Sequence, residues 1–110
     1  LRHWLASAYQ VIAAAGSAII IWGTGSQAQR VLAEGLLDAC EVLALVDSDT
    51  SKQGRRLAGI PILAPDQGLA LAPQAPVAIL AARAASASIR RELASSHPDR
   101  QVLALDALAD

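Results

Sequence analysis

The sequence has no methionine, no phenylalanine and only one cysteine, and aromatic residues make up 3% of its 110 positions. One cysteine cannot form an internal disulfide, and with two distant histidines it cannot make a metal site. The apolar residues are mostly small or aliphatic, with 25 alanines and 16 leucines. Such side chains favour close contacts between helices and a sheet over aromatic packing. We expect Cys40 to be a small buried residue at a helix end.

Charge of either sign is also scarce, since charged residues make up 17% of the sequence and the net charge is -1. No strong field attracts nucleic acid or anionic lipid, so we expect neither as a partner. The apolar runs, such as residues 18–22, are far shorter than the roughly 20 residues that span a bilayer. No signal-peptide pattern opens the sequence. We therefore expect a cytoplasmic protein that does not contact a membrane.

A hydrophobic fraction of 54% excludes disorder, and 110 residues correspond to one domain. We expect residues 1–110 to form that single domain. Because the sequence starts at Leu1 and contains no methionine, we also expect it to be a segment of a longer protein. Other domains of the same polypeptide would then be its partners. The sequence does not indicate the oligomeric state.

Hydrophobic periodicity predicts helices that alternate with strands. Helices are predicted over residues 2–15, 26 to about 37, 65–71 and 88 to about 97, the last capped by Ser88. Strands are predicted over residues 18–22, 41–46, 60–63, 77–81 and 102–105. The polar stretch 47–59 is expected to be a solvated loop. Pro61 indicates that the third strand lies at an edge of the sheet.

Strands that alternate with helices imply right-handed crossovers and a parallel sheet. The predicted fold is a Rossmann-like α/β domain of three layers, with strand order 3-2-1-4-5 and the N-terminal helix packed outside. Ligands of such sheets bind at the carboxyl ends of the strands, where the strand order reverses. In this sequence those ends are residues 23–27, 47–49 and 82–83.

A glycine turn follows the first predicted strand. Residues 23–28 read Gly-Thr-Gly-Ser-Gln-Ala and fit the pattern G-x-G-x-x-G/A between a strand and a helix. Gly23 allows a tight turn, and Gly25 lets a phosphate approach the backbone, where the positive end of the helix faces the anion. We predict that Gly23, Thr24, Gly25, Ser26 and Gln27 hold the phosphates of a nucleotide. The alternative is that the glycines only make a sharp turn.

Asp47 ends the second predicted strand and lies 22 residues after Gly25. This is close to the offset of roughly 20 residues at which an acidic residue binds a ribose hydroxyl in dinucleotide-binding folds. We predict that Asp47 and Ser48 lie at the ribose. The alternative is an Asx turn formed within residues 47–49.

Basic and small residues complete the predicted site. Lys52, Arg55 and Arg56 are candidates to bind a diphosphate or a 2′-phosphate, although charged loop residues are often only solvated. Ala82 and Arg83 follow the fourth strand at the expected crevice and are candidate contacts. The sequence has no Tyr-x-x-x-Lys pair, nucleophile elbow or Walker A lysine. We therefore predict no catalytic residue and expect the isolated domain to be inactive.

Four motifs occur in an order that resembles the Rossmann-like domains of sugar-modifying enzymes. They are the glycine turn, Val46-Asp47-Ser48-Asp49, Lys52-Gln53-Gly54, and Gly59-Ile60-Pro61-Ile62 with Pro65. The pattern is similar to the C-terminal domain of SAM-dependent sugar C-methyltransferases. It is also similar to the N-terminal domains of sugar acyltransferases and of polysaccharide-type epimerase/dehydratases. Ser26-Gln27 stands where a Gly-His pair is common in the acyltransferases, so no catalytic histidine is implied.

The resemblance implies a module that binds NAD(P) or a nucleotide-sugar within a sugar or polysaccharide biosynthesis enzyme, either a transferase or an epimerase/dehydratase. A second function stays open. In that alternative, a degenerate Rossmann domain binds no ligand and acts as an interaction or scaffolding domain of a methyltransferase or glycosyltransferase. Hydride transfer by this chain alone ranks third, because no proton donor is expected near the crevice.

Overall fold

The computed structural model describes residues 18–35, 37, 38 and 40–104. These residues form one sheet and three helices. The strands are β1 (Ala18–Trp22), β2 (Glu41–Val46), β3 (Arg56–Leu57), β4 (Ile60–Leu63), β5 (Val77–Ile79) and β6 (Val102–Ala104). The helices are α1 (Ser26–Ala33), α2 (Pro65–Leu71) and α3 (Arg83–Ser96). The helix predicted over residues 2–15 lies outside the described residues.

The strand order in the sheet is β3-β4-β2-β1-β5-β6. Every neighbouring pair is parallel except β3 and β4. This confirms a mixed α/β domain with a mostly parallel sheet. The predicted five-strand order, 3-2-1-4-5, is wrong for the whole sheet, because β3 adds an antiparallel strand at one edge. The parallel strands alone run β4-β2-β1-β5-β6.

The additional strand belongs to a tight hairpin inside the stretch that was predicted to be a loop. Ala58 and Gly59 connect β3 to β4 with φ values of 53° and 79°, as in a type I′ turn. The guanidinium of Arg56 donates a 2.9 Å hydrogen bond to the carbonyl of Gly59 and braces the turn. The sequence signal was weak, since such turns favour Asn or Gly at their first position and this chain has alanine there.

The hairpin also overturns the prediction that Pro61 marks an edge strand. The strand β4 pairs with β2 on one side and with β3 on the other. The N–H of Ile62 donates to the carbonyl of Arg55 at 2.8 Å, and the N–H of Gly54 donates to the carbonyl of Ile62 at 2.9 Å. Pro61 itself has no N–H, so β4 tolerates it at the cost of one ladder bond.

Helices cover both faces of the sheet, which explains why β1 and β5 consist of apolar residues only. Successive side chains of a strand point to opposite faces. Ile19 and Ile21 pack with α1 on one face. Ile20 and Trp22 pack with α2 and α3 on the other face. The side chains of all four residues are buried.

Several predicted boundaries move in the structure. The helix α1 ends at Ala33 rather than near residue 37, because Gly35 adopts a left-handed φ of 70° that terminates helices. The helix α3 begins at Arg83, with Ala82 rather than Ser88 at the N-cap. Alanine has no side chain that could cap the helix, so the sequence carries no polar signal for this start. The strand β5 ends at Ile79, before the predicted residue 81.

Cys40 also differs from its prediction. It lies in the connection before β2 and is only partly buried, packed against the cluster that contains Ile19 and Val31. Burial raises the pKa of its thiol above the ordinary value. The thiol is therefore less readily ionised than that of a free cysteine.

Candidate functional site

A cleft of about 510 Å³ lies at the carboxyl ends of β1, β2 and β5. The strand β1 pairs with β2 on one side and with β5 on the other, so this is where the strand order reverses. The volume is within the usual range for small-molecule sites. Eight residues predicted from the sequence line the cleft: Gly23, Thr24, Gly25, Ser26, Gln27, Asp47, Ser48 and Ala82.

The first glycine of the turn is required by the fold. Gly23 has a φ of 129°, and a Cβ at this position would lie 2.1 Å from the carbonyl oxygen of Leu80. The N–H of Gly23 donates to the carbonyl of Val46 at 3.0 Å, and the N–H of Leu80 donates to the carbonyl of Trp22 at 3.0 Å. The turn is thus held between β2 and the end of β5, too close for any side chain.

The second glycine has a different environment. Apart from Gly25 and its two chain neighbours, no residue has an atom within 4 Å of the position that a Cβ on Gly25 would occupy, and its φ of -82° suits any residue. Gly25 is the N-cap of α1 and offers no side-chain cap, and the first turn contains no acidic residue. The first helical bond runs from the N–H of Gln29 to the carbonyl of Gly25 at 3.0 Å. An uncapped helix N-terminus of this kind attracts anions.

The carboxylate of Asp47 connects the glycine turn to the end of β2. The hydroxyl of Thr24 donates a 2.5 Å hydrogen bond to Oδ2 of Asp47, and the ammonium of Lys52 lies 3.9 Å from the same oxygen. The N–H of Asp49 donates to Oδ1 of Asp47 at 2.9 Å, which is the Asx turn that the sequence left as the alternative. An ionised carboxylate accepts about four hydrogen bonds, so these contacts leave capacity for a ligand hydroxyl.

The structure does not bring the three predicted arginines into the lining of the cleft. Arg55 and Arg56 are exposed, and Arg56 is engaged by the turn of the hairpin. Arg83 is exposed and begins α3 next to Ala82. Around the described cleft, the charged lining residues are Asp47 and Glu92, both acidic.

Sequence reasoning missed the wall that α3 contributes. Four residues of this helix line the cleft: Ala85, Ser88, Ile89 and Glu92. Their spacing of i, i+3, i+4 and i+7 places them on one face of a helix. The signal is present in the sequence, but the helix was predicted to start at Ser88 and its first turn was not recognised. Trp22, Leu80 and Ala81 also line the cleft and were assigned only to strands.

One polar atom of the cleft stands out. The side-chain oxygen Oε1 of Gln27 is buried and has no hydrogen-bond partner within the described part of the chain. The neighbouring Gln29 differs, because its amide donates a 3.1 Å hydrogen bond to the carbonyl of Thr24. A buried acceptor without a donor costs stability unless a ligand supplies one.

Two other observations concern the described residues as a set. They contain no group of three or more His, Cys, Asp or Glu side chains that could hold a metal ion. None of their helices combines the length and apolar character needed to cross a membrane.

Fold and cleft together define a mixed α/β domain with a small-molecule-sized cavity where its strand order reverses. The family described as C2185-like, N-terminal, matches residues 16–96, and the chain belongs to this family. The match spans the strands β1 to β5 and all three helices, and thus the whole lining of the cleft. No curated protein and no solved structure matches the chain.

Proposed function

We propose that this chain is a nucleotide-binding module of the Rossmann type, which holds NAD(P) or a nucleotide-sugar in the cleft between β1, β2 and β5. The observation that carries the proposal is the pairing of an uncapped helix N-terminus at Gly25 with the carboxylate of Asp47 across one cleft. The first suits a phosphate, and the second suits a ribose hydroxyl.

The charges of the cleft favour a diphosphate ester over a ligand that carries more negative charge. No lysine or arginine lines the described cleft, so backbone N–H groups and the helix dipole would hold the phosphates. Glu92 would repel additional phosphate groups, and so would Asp47, whose charge the ammonium of Lys52 at 3.9 Å only partly offsets. NAD and nucleotide-sugars meet this condition better than NADP does.

We further propose that the module serves a sugar-modifying protein, a transferase or an epimerase/dehydratase, in the cytoplasm. This proposal rests on the order of the sequence motifs that resemble such enzymes. Catalytic groups would then lie in another domain of the same polypeptide, because the cleft presents no histidine, cysteine or lysine in its described lining.

The direct test is a binding titration of the chain with NAD, NADP and UDP-glucose by calorimetry. Trp22 lines the cleft and is buried, so its fluorescence gives a second readout. The other tryptophan, Trp4, is removed by a Trp4→Phe background substitution so that the signal comes from the cleft.

The variant Gly25→Val should weaken binding by at least about tenfold, because its side chain would fill the space that the phosphate needs. Its fold should persist, since the position is open and has an ordinary φ. Ala94→Val, which places the same branched side chain at an exposed position of α3, is the matched control. Unchanged affinity in Gly25→Val would make the turn purely structural. If no nucleotide bound the native chain, the scaffolding function would replace this proposal.

A further inference from the structure

The cleft extends well beyond the glycine turn. Ala85 and Glu92 both line it, and seven residues of an α-helix span about 10 Å along its axis. A phosphate at the N-terminus of α1 therefore leaves part of the cleft along α3 for another group of the ligand.

The polar groups in that part of the cleft have a common chemistry. Glu92 and Ser88 line it from α3 with a carboxylate and a hydroxyl, and Gln27 lines the same cleft from the first turn of α1 with a buried amide oxygen that has no donor among the described residues. A carboxylate and an amide oxygen both accept hydrogen bonds, and a hydroxyl does so as well. Ile89 and Ala85 provide apolar surface between these groups. An occupant that satisfies them must donate hydrogen bonds and present some apolar surface.

We propose that the part of the cleft between the first turn of α1 and the facing side of α3 binds an uncharged, hydroxyl-bearing ring of the ligand, a hexose or a ribose, through Gln27, Ser88 and Glu92. The inference rests on the proposed nucleotide-binding function and specifies the group attached to the diphosphate. Sugar hydroxyls donate to the carboxylate of Glu92 and, once the Gln27 side chain rotates to uncover its buried Oε1, to that oxygen as well, and the ring face packs on Ile89. A phosphate or a carboxylate in the same place would meet Glu92 with no cation in the described lining to offset the repulsion.

Two series of probes test this specificity. In the first series, UDP, UDP-glucose and UDP-glucuronate share one nucleotide and differ only at the distal group. In the second series, ADP, ADP-ribose and ATP make the same comparison with adenine. We expect the neutral sugar to bind about tenfold more tightly than the diphosphate alone or the anionic analogue, which corresponds to one or two net hydrogen bonds.

The variant Glu92→Gln tests the charge. It keeps the size of the side chain and should raise the affinity for UDP-glucuronate or ATP by about tenfold relative to the neutral sugar. Glu41→Gln is the matched control, because Glu41 is also exposed but begins β2, at the opposite end of the strand from the cleft. The control should leave the order of affinities unchanged.

The variant Gln27→Leu separates a binding role from a structural one. It removes a buried acceptor that lacks a partner, so the unliganded protein should become more resistant to urea. The same variant should bind UDP-glucose or ADP-ribose no better than the parent diphosphate. Lower stability together with an unchanged sugar preference would show that Gln27 serves the fold alone.

Failure of this inference is distinguishable from failure of the proposed function. If the diphosphates bind but the neutral sugar adds no affinity, or if the anionic analogues bind as tightly, the inference is wrong and the nucleotide site stands. If none of the six probes binds, the proposed function itself is wrong.

Discussion

The hydroxyl of Thr24 donates a 2.5 Å hydrogen bond to Oδ2 of Asp47, and this bond ties the glycine turn after β1 to the end of β2. The two residues are 23 positions apart in the chain, and Thr24 is almost completely buried. The bond fixes the side chain of Asp47 at the cleft, while the N–H of Asp49 holds its second oxygen. The same carboxylate therefore serves the local fold and is available to a ligand.

Thr24→Val should show how much that hydrogen bond contributes to stability and to binding. Valine keeps the shape of threonine but removes the donor, so the free energy of unfolding should fall by about 1 to 2 kcal/mol. Nucleotide affinity should fall as well, because Asp47 loses one of the contacts that orient it. Urea denaturation and calorimetry measure the two effects. A stable variant with unchanged affinity would show that the Asx turn alone positions Asp47.

Asp47→Ala should change the choice of cofactor. Binding of NAD should weaken by about 1 to 3 kcal/mol, the range for a hydrogen bond to a charged group, whereas binding of NADP should be unchanged or improved. The measurement is a paired titration of both cofactors with native and variant protein. A native preference for NADP would indicate that Arg55 and Arg56 reach the ligand and that Asp47 does not determine the choice.

Substitution by alanine should affect stability much more at the first glycine of the turn than at the second. Gly23→Ala places a Cβ against the carbonyl of Leu80 and requires a positive φ, so we expect a loss of more than about 2 kcal/mol or failure to fold. Gly25→Ala should change stability by less than about 1 kcal/mol, because the space around it is open. Thermal unfolding of both variants tests this contrast. Equal destabilisation would contradict it.

Arg100 should be a major contributor to stability away from the cleft. Its guanidinium donates to the carbonyls of Ala75, Ala72 and Leu69 at 2.6, 2.7 and 3.1 Å. Arg100→Ala leaves these acceptors without their donor and should cost about 2 kcal/mol or more. Arg91→Ala, on the exposed surface of α3, is the control and should cost less than about 0.5 kcal/mol. Nucleotide affinity should not change in either variant.

The thiol of Cys40 should show a pH dependence with a definite sign. Burial raises the pKa of the thiol in the native state above the unfolded value. Below the unfolded pKa the thiol is protonated in both states, so stability does not depend on its titration there. As the pH rises above the unfolded pKa, the unfolded chain ionises first and stability falls. Alkylation by iodoacetamide should therefore have a higher apparent pKa in native protein than in urea. A midpoint in native protein at or below that of the unfolded chain would contradict this.

Much of the site could be predicted from local sequence. The apolar run of β1 followed by Gly23 and Gly25 located the glycine turn, and the end of β2 located Asp47, since both signals depend on neighbouring residues only. The wall formed by α3 could not be located in the same way. Its N-cap is Ala82, which gives no polar signal, and which face of the helix meets the cleft depends on tertiary packing.

The edge of the sheet was the least predictable part. The hairpin depends on Ala58 in a left-handed conformation, and alanine gives no sign of this in a sequence. Charge alone also did not locate the arginines, which lie outside the lining of the described cleft. Arg56 is close to Asp47 in the chain, but its guanidinium hydrogen-bonds to the hairpin turn and does not line the cleft.

The hairpin has a consequence for association between molecules. A long open strand at the side of a sheet is a template for pairing with another polypeptide, which leads to domain swapping or fibrils. Here the N–H and the carbonyl of Ile62 in β4 are already hydrogen-bonded, to Arg55 and Gly54 respectively. The edge strand is instead β3, which is only two residues long and begins with an arginine. A short, charged edge strand resists such pairing. The hairpin thus protects this edge of the sheet from pairing with another polypeptide.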